Sequence, residues 1–139
     1  MPRTSSVIAQ KNVVFMPSLF NETMQLLVDA HDYFQQFGTD DQSRIDPGLR
    51  TLYSCEMSRI TLRLSSIMAW LMVQRAVFTG KIKEEDAGAY ALDFAEVCTV
   101  DNRMLHGILP SYVCYLLDRS RELYERVLRL DDQVHHQVH

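Results

Sequence analysis

The fold is decided by residues 46–80, DPGLRTLYSCEMSRITLRLSSIMAWLMVQRAVFTG, which predict one long helix. Asp46 suits the N-cap position, Pro47 suits the first helical position, and Gly80 suits the C-terminal stop. Between these signals, large apolar residues recur at alternating steps of four and three, a spacing that keeps them on one helix face. They are Tyr53, Met57, Ile60, Leu64, Ile67 and Leu71. The helix from Pro47 to Thr79 would be a rod of roughly 50 Å, so the rest of the chain must pack around it.

The composition indicates one globular domain. The chain has 139 residues, of which 47% are hydrophobic and 23% charged, and it has only five glycines and four prolines. Few helix-breaking residues and many Leu, Met, Arg and Glu favour an all-α protein. The formal net charge of −4 argues against a general nucleic-acid-binding protein.

Nothing in the sequence indicates secretion or a membrane. The N-terminal residues, MPRTSSVIAQKN, lack the apolar core of a signal peptide. The longest apolar run, residues 67–73, is far shorter than the ~20 residues that span a bilayer. The three cysteines, Cys55, Cys98 and Cys114, show no C-x-x-C spacing, so we expect reduced thiols in a soluble, cytoplasmic protein.

Other helix signals occur on both sides of the long helix. Ser18 suits the N-cap of a first helix that ends at Gly38 and is followed by a solvated loop over residues 39–46. Its primary apolar stripe is Phe20, Met24, Leu27, His31 and Phe34, and this face is widened by Leu19, Leu26, Tyr33 and Phe37. A last helix begins near Pro110, and its stripe is Val113, Leu117, Ser120, Tyr124 and Val127. The acidic turn at residues 84–86 begins a shorter helix that fades near Val97.

These signals predict an all-α, up-down-up three-helix bundle with a short additional helix between the second and third long helices. We expect residues 1–17 to form a flexible N-terminal arm. Residues 18–131 then form a single helical-bundle domain, and residues 132–139 form a polar C-terminal tail.

No catalytic motif is present, and the isolated glycines form no phosphate-binding loop. His31 lies on the predicted core stripe, where we expect a buried or half-buried histidine that is hydrogen-bonded to a neighbour. Tail histidines His135, His136 and His139 lack a rigid frame for a metal. We therefore predict a protein that is not an enzyme and has no cofactor or metal site. The alternative is a small-molecule-binding or catalytic helical bundle with an interior pocket near His31 and Cys55.

The long helix is basic in an acidic protein, since it carries four arginines against one glutamate. Arg59 and Arg63 lie one turn apart and Arg75 follows, so these three are candidate residues for binding an acidic protein partner. The alternative is that these arginines pair with acids of this chain, such as Glu22 or Asp118. Their use in DNA binding is a third possibility, which the net negative charge disfavours.

The C-terminal half of the long helix has more apolar residues than one core stripe requires. The residues that lie off the stripe are Met68, Trp70, Met72 and Val73. Because a helix that is apolar nearly all round is buried on more than one side, we predict that they form a homodimer interface. Core packing is the alternative for Trp70.

Three segments resemble, in the same order, the RcdA family of small alphaproteobacterial proteins, named after the regulator of CtrA degradation. They are SLFNETMQLLVDAHDYF at residues 18–34, SRITLRLSSIMAWLMVQRAVFTGKI at residues 58–82, and RELYERVLRLDD at residues 121–132. The most specific combination is R-L-x-x-x-x-x-W-L-x-x-Q-R-A-x-x-x-G from Arg63 to Gly80 with LYERVLRLD from Leu123 to Asp131.

The resemblance implies a dimeric three-helix bundle that acts as a non-enzymatic adaptor for the ClpXP protease in cell-cycle control. In that system a CpdR-like response regulator primes the ClpX unfoldase, and the RcdA-type adaptor then delivers cargo. The RcdA-type adaptor also recruits a further adaptor, PopA, which responds to cyclic di-GMP. The family resemblance is in addition compatible with recruitment of this protein to a cell pole. Family members usually carry a longer tail than the nine residues after Leu130 here, so a different cargo set is an alternative.

Overall fold

The computed structural model describes residues 2–83, 86 and 105–138, with the backbone alone for residues 2–16 and 134–138. Three long helices, α1 (Pro2–Arg44), α2 (Arg50–Phe78) and α3 (Ser111–Val138), pack as a bundle, and a short 3-10 turn, Pro47–Leu49, precedes α2. The all-α class and the three-helix bundle are therefore confirmed. The short additional helix that was predicted between the second and third long helices lies outside the described residues.

The C-terminal end of α2 follows the signal of the sequence, whereas the predicted start at Pro47 is a 3-10 turn and α2 itself begins at Arg50. The Asp46 carboxylate accepts a hydrogen bond from the backbone N–H of Gly48 at 3.3 Å and so caps the 3-10 turn. At the other end, the Thr79 N–H donates to the Arg75 carbonyl at 2.9 Å. Gly80 then takes a φ of +78°, a left-handed conformation that glycine adopts without strain.

The first helix is longer than the sequence predicts, because it continues through Gly38 to Arg44. Gly38 is buried beneath the ring of Phe34, and a Cβ atom there would lie 3.3 Å from a ring carbon. The glycine thus accommodates a side chain instead of ending the helix. Arg50 donates from Nε to the Gln42 carbonyl at 3.2 Å, which satisfies one of the last carbonyls of α1. At the other end, the helix begins at Pro2, so the backbone of the predicted arm continues into α1.

The predicted stripes of α2 and α3 form the core, and every residue of both is buried. For α1 the predicted primary stripe is wrong: Met24, His31 and Phe34 are exposed, with 52% of Phe34 accessible. The face that α1 buries instead consists of Leu19, Thr23, Leu26, Ala30 and Tyr33. Small Thr23 and Ala30 complete this stripe, and the sequence prediction relied on large apolar residues alone.

Helix α3 runs parallel to α2, so the predicted up-down-up order is wrong. Arg63 contacts Leu117 and Ser120, whereas Trp70, two turns further along α2, contacts Asp131, further along α3. In an antiparallel pair this order would be reversed. The prediction assumed that consecutive long helices alternate in direction, but the connection over residues 79–110 is long enough to return the chain to the other end of the bundle.

Ion pairs and ring contacts place α1 antiparallel to α3. Glu22, near the start of the fully described part of α1, accepts from Arg126 of α3 at 3.0 Å and from Arg119 at 3.2 Å. Tyr33, further along α1, instead contacts Tyr112 in the first turn of α3. The order of the three helices is therefore up-down-down.

Two buried side chains of α2 form hydrogen bonds with α3. The Arg63 side chain is fully buried, and its Nη1 donates to the Leu117 carbonyl at 3.1 Å and to the Ser120 hydroxyl at 3.2 Å. The indole N–H of Trp70 donates to the Asp131 carboxylate at 2.8 Å. Buried polar groups require partners of this kind, because burial without them is costly.

A third polar network lies where α1 turns into α2. The Tyr33 hydroxyl donates to the Asp41 carboxylate at 2.5 Å, and the Tyr53 hydroxyl donates to the Tyr33 oxygen at 3.3 Å. Burial and the hydrogen bond to Asp41 raise the pKa of Tyr33 far above its usual value. Burial also raises the pKa of Tyr53. Both phenols therefore stay protonated in the folded protein.

Neighbouring aspartates at the end of the RLDD segment allow a matched test of the Trp70 contact. We expect Asp131→Ala to lower the free energy of unfolding by about 1–3 kcal/mol, because the buried indole N–H loses its acceptor. Asp132→Ala, at an exposed position, should change it by less than about 0.5 kcal/mol. Urea unfolding of both variants measures the difference, and equal stabilities would contradict a structural role for the contact.

The raised pKa of Tyr33 predicts that the folded protein loses stability at alkaline pH. The unfolded chain releases the Tyr33 proton near its ordinary pKa of about 10, whereas the folded chain retains it. The stabilisation is therefore complete below about pH 10 and declines as the pH rises further. We expect Tyr33→Phe to cost about 2–4 kcal/mol at neutral pH, because two hydrogen bonds are lost, one of them to a carboxylate, and to lose stability less steeply above about pH 10. Denaturant titrations at several pH values test this, and identical slopes for both proteins would refute it.

Candidate partner-binding surfaces

The three arginines predicted to bind a partner lie in three different environments. Arg63 is fully buried and bonded to α3, so the partner role predicted for it does not fit this fold. Arg59 is one-quarter exposed and forms an ion pair with the buried carboxylate of Glu56 at 3.3 Å. Arg75 is exposed. A continuous arginine strip is therefore not formed, and Arg75 is the most accessible of the three.

Arg75 lies at an open apolar groove of about 460 Å³ between α1 and the end of α2. The groove is lined by Pro17, Phe20, Asn21, Leu71, Arg75, Phe78 and Thr79. Phe78 remains 52% exposed, so a large aromatic ring is available to a binding partner. Apolar contact area beside a guanidinium is typical of protein interfaces, where aromatic residues and arginine are the usual anchors.

The sequence builds this groove from two helix features. Pro17 lies inside α1 and has no N–H, so the helix lacks one hydrogen bond there and presents an apolar ring instead. Phe78 is the last residue of α2, immediately before the turn at Gly80. The antiparallel packing of α1 on α2 brings these two positions to the same end of the bundle.

The four residues predicted to form a dimer interface are divided between the core and the surface. Trp70 is only 3% exposed and belongs to the core, as the alternative interpretation held. Met68 and Val73 are half-buried. Met72 is 63% exposed, and on the same side of α2 it is accompanied by Ala69 and by Leu62, which is 49% exposed. The surplus apolar surface is therefore real but smaller than predicted.

The interior pocket predicted near His31 and Cys55 is absent from the described residues, because both side chains are exposed. The expectation of a buried His31 is thus wrong. Cys114 is buried, and its thiol donates weakly to the Leu105 carbonyl at 3.5 Å. Burial raises the pKa of the Cys114 thiol, which disfavours the reactive thiolate.

Within the residues that the structure describes, no group of three or more His, Cys, Asp or Glu side chains could hold a metal ion. Among those same residues, no helix combines the length and the apolar character that crossing a membrane would require.

Two acidic residues have structural roles that the sequence prediction missed. Glu22 forms ion pairs with two arginines of α3, and Asp131, the last residue of the predicted bundle domain, accepts a hydrogen bond from Trp70. The exposed His106 also contacts the Asp118 carboxylate, at 3.1 Å. For Asp131, its step of four from buried Val127 was the available signal.

The fold and its surfaces define a small three-helix protein with an apolar groove at one end and a buried polar seam between parallel helices. The chain belongs to the family described as "Protein of unknown function (DUF1465)", whose profile matches residues 9–139.

A solved structure supports the same relationship. The crystal structure of RcdA from Caulobacter crescentus CB15 is 33% identical in sequence, with a TM-score of 0.67. The match covers 86% of this chain and 90% of that chain. The resemblance to RcdA that three sequence segments predicted is therefore confirmed, and it is consistent with a protein that is not an enzyme. The search of curated proteins found no match.

Proposed function

We propose that this protein is a non-enzymatic, dimeric adaptor that delivers cell-cycle regulators to the ClpXP protease once a CpdR-like response regulator has primed it. The similarity to RcdA, 33% identity over 86% of the chain with a shared fold, carries this proposal. Cargo proteins or a further adaptor would be the other partners, by the same resemblance. Such a protein acts in the cytoplasm, as its sequence predicts.

The groove beside Arg75 is the proposed docking surface for one of these protein partners. Its lining is apolar, Phe78 is half exposed, and Arg75 forms no ion pair among the described residues. A partner segment that places an apolar side chain in the groove and a carboxylate on Arg75 would satisfy both features. Arg59 can contribute charge at the surface, but its pairing with Glu56 leaves it less available.

The exposed side of α2 is the proposed homodimer interface. Met72 is the most exposed large apolar residue of the described chain, and Leu62 and Ala69 extend the apolar stripe along the helix. Half-buried Met68 and Val73 border it. Methionine side chains adapt to irregular surfaces, which suits a stripe that must pack against its own copy.

Retention by the primed protease tests the adaptor role. We expect the immobilised protein to retain ClpX in the presence of CpdR and to lose most of this retention with Arg75→Glu, because the charge at the groove is reversed. Arg44→Glu is the matched control, since Arg44 is an exposed arginine at the other end of α1. A folded wild-type protein that retains no primed ClpX would refute the proposal, and equal losses in both variants would refute the groove as the docking surface.

Light scattering tests the dimer interface. Met72→Glu should reduce the mass from a dimer to a monomer, because it places a charge in the proposed interface. Because Met72 is exposed in the single chain, the melting temperature of the Met72→Glu variant should change little when it is measured at a concentration low enough for the protein to be a monomer. Met24→Glu, an exposed methionine of α1, should leave the mass unchanged. If the wild-type protein is a monomer, or if Met72→Glu remains a dimer, this interface is wrong.

A further inference from the structure

A row of aromatic rings crosses the seam between α1 and α3, at the end of the bundle opposite the groove. Tyr33 contacts Phe37 on its own helix, with ring centroids 6.3 Å apart, and contacts Tyr112 of α3 at 5.0 Å. Tyr112 in turn contacts Tyr115 at 5.7 Å. We call these four residues the aromatic row.

Most of the aromatic row is accessible to solvent. Phe37 is 54% exposed, Tyr115 is 47% exposed and Tyr112 is 38% exposed, whereas Tyr33 is buried beneath them. Of these four residues, the buried Tyr33 also forms hydrogen bonds, one to Asp41 and one with Tyr53. Packing within the bundle therefore accounts for the buried Tyr33, whereas Phe37, Tyr112 and Tyr115 each keep a large part of their ring exposed to solvent.

Carboxylates lie beside the aromatic row. Asp29 lies one helical turn before Tyr33, whose ring contacts Tyr112, and Asp32 immediately precedes Tyr33. Burial, together with the negative charges of these two aspartates, raises the pKa of Tyr112. The nearest arginine along α3, Arg119, is already paired with the carboxylates of Glu22 and Glu122. The turn of α1 beside the row therefore carries two carboxylates that can pair with a basic ligand.

Exposed aromatic faces and nearby carboxylates favour the same kind of ligand. The π face of tyrosine or phenylalanine attracts a guanidinium or an ammonium group, and a carboxylate within reach strengthens the attraction. Tyrosine is also among the residues that most often anchor protein interfaces. An acidic surface additionally accelerates the approach of a basic partner.

We propose that the aromatic row binds a basic segment of a partner protein, with an arginine or lysine of that segment over the rings of Tyr112 and Tyr115 and paired with Asp29 or Asp32. This surface is chemically the reverse of the groove, where Arg75 favours an acidic partner. The protein therefore has two docking surfaces of opposite charge preference at opposite ends. The binding of a basic segment does not depend on the protease role.

Fluorescence anisotropy with synthetic peptides tests the proposal. The probe is a labelled peptide of repeated arginine and glycine, and the comparison is the same peptide with glutamate in place of arginine. We expect saturable binding of the arginine peptide alone, weakened by added salt because the contacts are exposed. Tyr115→Ala and Asp32→Asn should each weaken binding by about three- to fivefold.

Matched variants elsewhere on the surface distinguish this site from general attraction to an acidic protein. Phe78→Ala removes an exposed ring at the groove, and Asp132→Asn removes an exposed carboxylate on α3. Both should bind the arginine peptide as the wild type does. Equal losses in these controls, or equal binding of the glutamate peptide, would overturn the proposal. It would also be overturned if Tyr115→Ala and Asp32→Asn changed only the oligomeric mass, because the row would then join copies of this chain. None of these outcomes bears on retention by primed ClpX.

Discussion

The parallel packing of α2 on α3 is the constraint on which the rest of the structure depends, and Arg63 lies at its centre. Apolar side chains alone would tolerate sliding of one helix along the other. A buried guanidinium does not, because its hydrogen bonds to the Leu117 carbonyl and the Ser120 hydroxyl have a fixed length and direction. The bond from Trp70 to Asp131 repeats the restraint further along the same pair of helices. Together these contacts set the register of α3.

This register determines where the exposed surfaces lie. Since α1 is antiparallel to both partners, its Pro17 region lies beside the end of α2, and its Tyr33 region lies beside the start of α3. One end of the bundle therefore combines an apolar groove with a guanidinium, and the other combines aromatic rings with carboxylates. A shift of α3 by one turn would separate Tyr112 from Tyr33, and the aromatic row would no longer be continuous.

The sequence predicts best where periodicity and end signals agree, as in α2, whose core stripe and C-terminal end both follow from residues 46–80. It predicts poorly where small residues complete a face, because Thr23 and Ala30 carry little hydrophobic signal. The sequence also cannot distinguish a buried arginine from an exposed one by residue type. Arg63 does lie at steps of three and four from the buried residues Ile60 and Ile67, and this spacing places it on the buried face of α2. The direction of α3 depends on the long connection that precedes it, and the spacing of residues does not determine where such a connection leads.

The crossover between α2 and α3 has a consequence for the order of assembly. The polar contacts that join these helices link residues 54 to 61 positions apart, whereas α1 and α2 are joined by the short turn over residues 45–49. The entropy lost on closing a loop grows with the logarithm of its length, so docking α3 costs about 1.5–2 kcal/mol more than closing the α1–α2 hairpin. The α1–α2 hairpin therefore has the lower entropic cost of formation, but its apolar faces remain exposed to water until α3 packs against them. From this difference in loop entropy, we expect the C-terminal helix to dock last and to complete the core.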